Sequence, residues 1–144
     1  MKKHLLLALL TIAALSGCKL DDAGFSKTDS SLIIGKWYNK STTTYTPAQN
    51  GQPANSSTYV DFTANDFLSF NTNTVTMSEG FTNTSADYKY TLRGSTLTIT
   101  NVNDTETETV LKLTTDSLVL VSDAQVEANG VTTVAKVTDR YARK

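Results

Sequence analysis

Residue types that carry common catalytic chemistry are scarce in this chain of 144 residues. It contains one histidine, His4, one cysteine, Cys18, and two prolines. A single cysteine cannot form an intramolecular disulfide. The 13 basic and 14 acidic side chains leave a net charge of −1, which provides no general electrostatic attraction for nucleic acid. We therefore expect no nucleic-acid partner.

The N-terminal segment has the parts of an export signal. Lys2, Lys3 and His4 precede an apolar run over residues 5–15, which is too short to span a bilayer as a helix. The run ends in Leu-Ser-Gly-Cys at residues 15–18. This pattern resembles the lipobox of bacterial lipoprotein signal peptides, in which the cysteine receives a diacylglycerol thioether and cleavage falls just before it. A cytosolic protein with an apolar start and a chance cysteine is the alternative.

The lipoprotein resemblance implies a signal peptide over residues 1–17, lipidation of Cys18, and a tether over residues 18–28. The lipid would make the membrane a partner of the chain. Residue 19 is lysine, not the aspartate that retains many lipoproteins in the inner membrane. The implied location is therefore the outer membrane, on its periplasmic side or at the cell surface. Residues 19–22 also resemble an acid-rich surface-export signal, with a solvated tether as the alternative.

Cleavage at this site would remove the residues on which many enzymes depend. No histidine would remain, and lipid would occupy the only cysteine. This excludes Ser-His-Asp and Cys-His catalysis, histidine acid–base chemistry and ordinary zinc sites. We therefore expect a protein that is not an enzyme, without catalytic residues, a metal site or a cofactor.

The rest of the chain has the pattern of an all-β domain. Its 24 threonines, of 25 in the whole chain, favour strands because they are β-branched. Tyr88, Tyr90 and Leu92 alternate with polar residues, as do Leu97 and Ile99. A helical turn is predicted over 29–34, and strands over 36–45, 59–63, 67–71, 74–78, 87–92, 96–100, 105–113, 118–121 and 131–141. One long loop is predicted over 46–57, and a looser one around residues 129–130.

The number and spacing of these strands predict how they associate. Eight or nine sequential antiparallel strands at roughly ten-residue spacing tend to close into an up-and-down β-barrel, which removes exposed sheet edges. We predict one barrel domain of about eight strands over residues 29–144, with a short N-terminal helical turn. An open sandwich of two sheets is the alternative.

Several motifs occur in an order that is typical of one family. Gly35-Lys36-Trp37 resembles the Gly-x-Trp that opens the first strand of lipocalins. Over residues 31–143 the chain is similar to bacterial lipocalin-like domains, and the remaining matches are Val60-Asp61-Phe62, Tyr88-Lys89-Tyr90-Thr91-Leu92, Gly94, Leu97-Thr98-Ile99 and the segment 113–120. The resemblance implies barrel-closing roles for Gly35, Trp37 and Arg140, with the arginine packed over the indole. Arg143 is the alternative arginine.

Three acidic residues could hold a cation or face solvent. Asp104, Glu106 and Glu108 fall at alternate positions of a predicted strand and therefore share one face. A calcium site is one interpretation, but neighbours on one strand face lie about 7 Å apart, which is too far without loop ligands. We interpret the row as solvent-facing, with Leu111 and Leu113 of the same strand turned inward.

Five aromatic residues are candidates to line a ligand pocket, with core filling as the alternative: Tyr59, Phe62, Phe70, Tyr88 and Tyr90. The lipocalin resemblance implies a small apolar or amphipathic ligand in the open end of the barrel, opposite Trp37. The competing interpretation is a filled barrel that acts as a structural or interaction module for a protein or glycan. An apolar cavity of about 300 Å³ or more would distinguish a ligand-binding barrel from a filled one.

Overall fold

A computed structural model describes residues 29–49, 51–128 and 130–144. The predicted signal peptide, Cys18 and the tether therefore lie outside the described residues. A 3₁₀ helix over Asp29–Ile33 precedes nine strands in the described part of the chain: β1 (Gly35–Thr46), β2 (Asn55–Tyr59), β3 (Phe67–Phe70), β4 (Thr74–Glu79), β5 (Thr84–Arg93), β6 (Thr96–Thr100), β7 (Thr105–Leu113), β8 (Ser117–Ala128) and β9 (Val131–Ala142). No helix in these ranges is both long and apolar enough to cross a membrane.

Eight of these strands form a closed antiparallel barrel. The order is β1-β3-β4-β5-β6-β7-β8-β9, and pairing of β9 with β1 closes the circle. The strand β2 pairs with the second half of β1, on the same edge that β3 occupies along the first half. The all-β, up-and-down barrel of about eight strands with a short N-terminal helical turn is therefore confirmed.

Alternation of side chains along the strands builds the core inside one end of the barrel. Because successive residues of a strand point to opposite faces, Leu97 and Ile99 of β6 turn inward while the threonines beside them turn outward. The fully or nearly buried core side chains are Ile33, Trp37, Leu68, Phe70, Val75, Leu97, Ile99, Val110, Leu113, Leu118 and Leu120. Most of them belong to the half of the barrel that the 3₁₀ helix adjoins.

The prediction of a long loop over 46–57 is wrong. The second half of β1 pairs with β2, from Thr42 opposite Tyr59 to Thr46 opposite Asn55, so only residues 47–54 connect the two strands. The strand predicted over 59–63 is also wrong, because Tyr59 ends β2 and residues 60–63 lie outside any strand. Every residue of β2 is exposed, and a strand without a buried face shows no apolar alternation.

A second correction concerns the loop predicted before residue 131. The strand β8 continues to Ala128 instead of ending near residue 121, and it pairs with β9 over its whole length, from Ser117–Ala142 to Ala128–Val131. A short turn therefore replaces the predicted loop. Polar residues such as Asp123 and Gln125 obscure this extension, although they lie on its outer face.

Candidate functional site

One end of the barrel is closed around the single tryptophan. Trp37 is 0% exposed, and its indole Nε1 donates a hydrogen bond of 2.7 Å to the carbonyl oxygen of Ile33 at the end of the 3₁₀ helix. The helix thereby covers this end, and its last residue, Ile33, joins the core. The arrangement leaves Trp37 without access to the barrel mouth.

Arg143, not Arg140, packs over the indole. The guanidinium carbon of Arg143 lies 4.4 Å from the Trp37 ring centroid, and Nη2 donates to the carbonyl oxygens of Leu32 at 2.6 Å and Ile34 at 2.7 Å. The prediction for Arg140 is wrong because of the two-residue period of β9.

The alternation along β9 explains this placement. Ala135 is buried, so odd-numbered positions of β9 face inward and even-numbered ones outward. The side chain of Arg140 is exposed and donates to the Thr43 hydroxyl at 3.4 Å on the outer surface. Arg143 follows the last residue of β9, Ala142, and as the next odd-numbered position its side chain also faces inward.

Gly35 provides the space for this arginine. Its φ of +121° lies in a region that side-chain-bearing residues rarely adopt. A Cβ atom placed there would also lie 3.3 Å from Nη1 of Arg143. The Gly-x-Trp pattern is therefore explained by a backbone turn that brings the guanidinium and the indole together.

The other end of the barrel contains an open cavity of about 500 Å³. Four inward side chains form its wall: Asn39 of β1, Leu68 of β3, Met77 of β4 and Tyr141 of β9. Aromatic residues on and near the loops form its rim: Tyr59, Phe62, Phe67 and Phe81. We call this space the mouth cavity. Its wall includes Asn39, two residues further along β1 than Trp37.

A hydrogen-bonded clasp holds the loop on one side of the mouth cavity. The Asp66 carboxylate accepts from the Gly80 backbone N–H at 2.7 Å, the Thr63 N–H at 2.6 Å and the Thr63 hydroxyl at 2.8 Å. Burial acts to raise the pKa of Asp66, but these three hydrogen bonds favour the carboxylate and bring its pKa below the ordinary value. The clasp joins the loop after β2 to the turn after β4, where Phe81 is 100% exposed.

The five predicted pocket residues divide between cavities and core. Tyr59 and Phe62 lie on the rim of the mouth cavity and form an edge-to-face pair with centroids 4.9 Å apart. Tyr88 lines a smaller cavity of about 200 Å³. Phe70 is in the core, and Tyr90 packs on it edge to face at 5.0 Å while its hydroxyl donates to the Asn71 carbonyl at 2.7 Å.

Of the acidic row, Asp104 precedes β7 and is exposed, Glu106 is on the inward side of β7 but remains exposed, and Glu108 is buried. The prediction that the row lies on the solvent-facing exterior is therefore wrong for Glu106 and Glu108. Glu108 lies directly opposite the buried Leu97, and Glu106 directly opposite the buried Ile99. Directly opposed residues of paired strands point to the same face. Glu106 accordingly lines the smaller cavity together with Asp104 and Met77.

A bulge causes this reversal. The register of β7 against β8 shifts between Val110 and Lys112, which inserts one residue and changes which positions face inward. Leu113 is buried as predicted, but Leu111 is 61% exposed, and Val110 takes an interior position. The prediction that odd-numbered residues of β7 face inward was based on Leu111 and Leu113. It does not hold before the bulge, where even-numbered residues face inward.

The interior acids form a group with Asp139 and Tyr141 of β9. Burial raises the pKa of Glu108 to about 7, with further contributions from the nearby charges of Glu106 and Asp139. Burial also raises the pKa of Asp139, although hydrogen bonds from Thr42 and Asn39 oppose this. Burial raises the pKa of Tyr141 well above its ordinary value, and all three carboxylates act in the same direction.

No described basic side chain neutralises this group. Arg143 is half-buried at the closed end, where it is committed to Trp37 and two carbonyls, and every other described lysine and arginine is exposed. Within the described ranges there is also no group of three acidic, histidine or cysteine side chains that could hold a metal ion. We define Glu106, Glu108 and Asp139 as the interior carboxyl group.

Sequence reasoning did not identify Asn39, Thr42 or Asp139 as interior residues. The series Ala135, Val137, Asp139 and Tyr141 carried a usable signal, since a carboxylate falls at an inward position between apolar residues. Asn39 and Thr42 gave no comparable signal, because a register shift between Asn39 and Ser41 changes the phase of β1.

The fold and the cavity define a small antiparallel barrel with one closed and one open end. The family model of the lipocalin-like domain matches residues 33–120, from the end of the 3₁₀ helix to Leu120 of β8. The chain therefore belongs to the lipocalin-like family, which confirms the resemblance of its motifs. A comparison with curated proteins found no match.

Proposed function

We propose that this protein is a non-enzymatic binding protein that takes a small apolar or amphipathic ligand into the mouth cavity. The volume of about 500 Å³ carries the proposal, since small-molecule sites are concave, mainly apolar spaces of about 300–1,000 Å³. The lipocalin-like family is generally non-enzymatic, which agrees with this role. The aromatic rim supplies large apolar surfaces for a ligand at low conformational cost.

The uneven filling of the barrel supports ligand binding over a filled interaction module. At the closed end, Trp37, Phe70 and Leu118 are 1% exposed or less. At the open end, the inward side chains are Asn39, Met77 and Tyr141, which do not fill the space between them. A barrel whose role was purely structural would gain stability from larger apolar residues at these positions.

A neutral fluorescent probe tests this proposal. The full chain is titrated with N-phenyl-1-naphthylamine, an uncharged aromatic dye that becomes bright in apolar surroundings. We expect saturable binding of one dye per chain. Met77→Trp would place an indole in the cavity wall and should weaken binding at least about tenfold, which is about 1.4 kcal/mol.

The matched control is Leu111→Trp, which adds the same indole to the outer face of β7. This variant should bind the dye with the affinity of the unaltered chain. Absence of saturable binding, or equal loss in both variants, would contradict the proposal.

We also propose that the chain is lipid-anchored at Cys18 and resides in the outer membrane. The Leu-Ser-Gly-Cys segment and Lys19 support this assignment. In the bacterial cell, Cys18→Ala should yield an uncleaved precursor without lipid, as measured by intact mass. Membrane anchoring of that variant with a normal mature mass would contradict the proposal.

A further inference from the structure

We propose that the barrel interior recognises a cationic headgroup, so that the ligand is an amphipathic organic cation such as an alkyl ammonium. Its apolar body would occupy the mouth cavity, and its ammonium group would reach Glu108 and the rest of the interior carboxyl group. This inference rests on the proposed function and specifies the chemistry of the ligand.

Glu108 is the first observation that supports a cation. The residue is 9% exposed, and no described group donates a hydrogen bond to its carboxyl. Buried carboxylates are normally paired with a cation or with several hydrogen-bond donors, because removal from water is otherwise costly. Glu108 has neither kind of partner among the described residues, so a ligand that carries a cationic hydrogen-bond donor would supply the missing partner.

Asn39 gives a second and independent observation. Its side-chain oxygen Oδ1 is buried without a hydrogen-bond partner, while its Nδ2 donates to the Thr42 hydroxyl at 3.5 Å. The Thr42 hydroxyl in turn donates to Asp139. Among the described residues the buried side-chain atoms without a hydrogen-bond partner are Asn39 Oδ1 and Arg143 Nε. Arg143 packs over the indole at the closed end, so the unpartnered groups on the open side, Asn39 Oδ1 and the Glu108 carboxyl, are acceptors.

The chemistry of these free acceptors favours an ammonium group. An ammonium offers three donors and no acceptor, and it carries the positive charge that the interior lacks. A fatty-acid carboxylate would bring a like charge towards Glu106, Glu108 and Asp139 and would be disfavoured. The described acidic residues do not form a group suited to a metal ion, which favours an organic cation over an inorganic one.

Of the interior carboxyl group, Glu106 lines the smaller cavity, which borders the mouth cavity at Met77, while Glu108 and Asp139 lie on the inward faces of β7 and β9. Tyr141 lies in the wall of the mouth cavity and is close enough to Asp139, Glu108 and Glu106 for their charges to raise its pKa. Met77 lines both the mouth cavity and the smaller cavity that contains Glu106. A ligand whose alkyl or aryl body packs on Leu68 and Met77 would therefore present its polar end to the interior acids.

The test compares three probes that differ only in the headgroup. Octylammonium, octanol and octanoate are titrated separately into the full chain by calorimetry at about pH 8, where Glu108 is ionised. We expect octylammonium to bind at least about tenfold more tightly than octanol, and octanoate to bind most weakly. Glu108→Gln should reduce the octylammonium affinity about tenfold and leave the octanol affinity within about twofold.

A matched control separates the interior charge from the overall charge of the protein. Glu127→Gln makes the same substitution on an exposed residue of β8, and it should leave all three affinities unchanged. Glu106→Gln provides a second interior variant, which should also lower the preference for octylammonium over octanol.

Four outcomes would overturn the inference. If octanol binds as tightly as octylammonium, or if Glu108→Gln leaves their affinity ratio unchanged, the cationic specificity is wrong while the binding function stands. If octanoate binds most tightly, the specificity is likewise wrong. If none of the three probes binds and the naphthylamine dye also fails, the proposed function is contradicted together with the inference.

Discussion

Replacing Glu108 with glutamine should stabilise the barrel above neutral pH. Burial raises the pKa of Glu108 from 4.5 to about 7, so between these values the folded chain holds a proton that the unfolded chain has released. Because the folded state binds more protons in this window, the free energy of unfolding decreases as pH rises from about 4.5 to about 7. The cost of ionising Glu108 is absent below the window and complete above it.

The size of the effect follows from the shift in pKa. A change from 4.5 to about 7, at about 1.4 kcal/mol per pH unit, corresponds to about 3 kcal/mol. Glutamine has nearly the same shape and no charge, so it removes this cost while keeping the packing against Leu97. For a domain of this size the gain corresponds to an increase in Tm of roughly 12 °C at about pH 8.

Urea unfolding of the full chain at about pH 4.5, 6 and 8 measures this effect. The difference in unfolding free energy between Glu108→Gln and the unaltered chain should be small at the lowest pH and largest at the highest. Glu127→Gln, on the exposed face of β8, serves as the control and should follow the unaltered chain at every pH. A Glu108→Gln variant with the same pH dependence as the unaltered chain would refute the reasoning.

Two further substitutions test the closed end and the rim. Arg143→Ala removes the cation over Trp37 and two hydrogen bonds to backbone carbonyls, so it should destabilise the fold by roughly 3 kcal/mol, whereas Arg140→Ala should change stability by less than about 0.5 kcal/mol; equal effects in urea unfolding would contradict the assignment. Gly80→Ala would drive a Cβ into the Thr63 hydroxyl and the Asp66 carboxylate. It should open the clasp and weaken dye binding several-fold, and unchanged dye affinity would show that the clasp does not shape the mouth cavity.

The sequence was sufficient to predict the barrel, because the relevant signals are local. The alternation of Tyr88, Tyr90 and Leu92 identifies a strand with one buried face, and Leu97 and Ile99 identify the next. Gly35 and Trp37 mark the closed end, because a positive φ and a large buried side chain each restrict the residue type. These features require no knowledge of distant partners.

The site was harder to predict because its geometry depends on irregularities. The bulge between Val110 and Lys112 reverses which residues of β7 face inward, and a strand sequence alone does not reveal a bulge. Glu106 and Glu108 were therefore assigned to the wrong face of β7. The choice between Arg140 and Arg143 depended on the phase of β9, whose regular alternation from Val131 to Ala142 places odd-numbered positions inward.

The central claim is that ligands enter the mouth cavity, and an NMR titration tests it most directly. The full chain, labelled with nitrogen-15, is titrated with octanol, a neutral probe that does not depend on the cationic specificity. We predict that the backbone amide signals of Asn39, Leu68, Met77 and Tyr141 shift progressively. The one indole signal of the chain, from Trp37, should stay in place, because its N–H is bonded to Ile33 at the closed end. Shifts confined to the outer face, or an absence of shifts around the mouth cavity, would contradict the account.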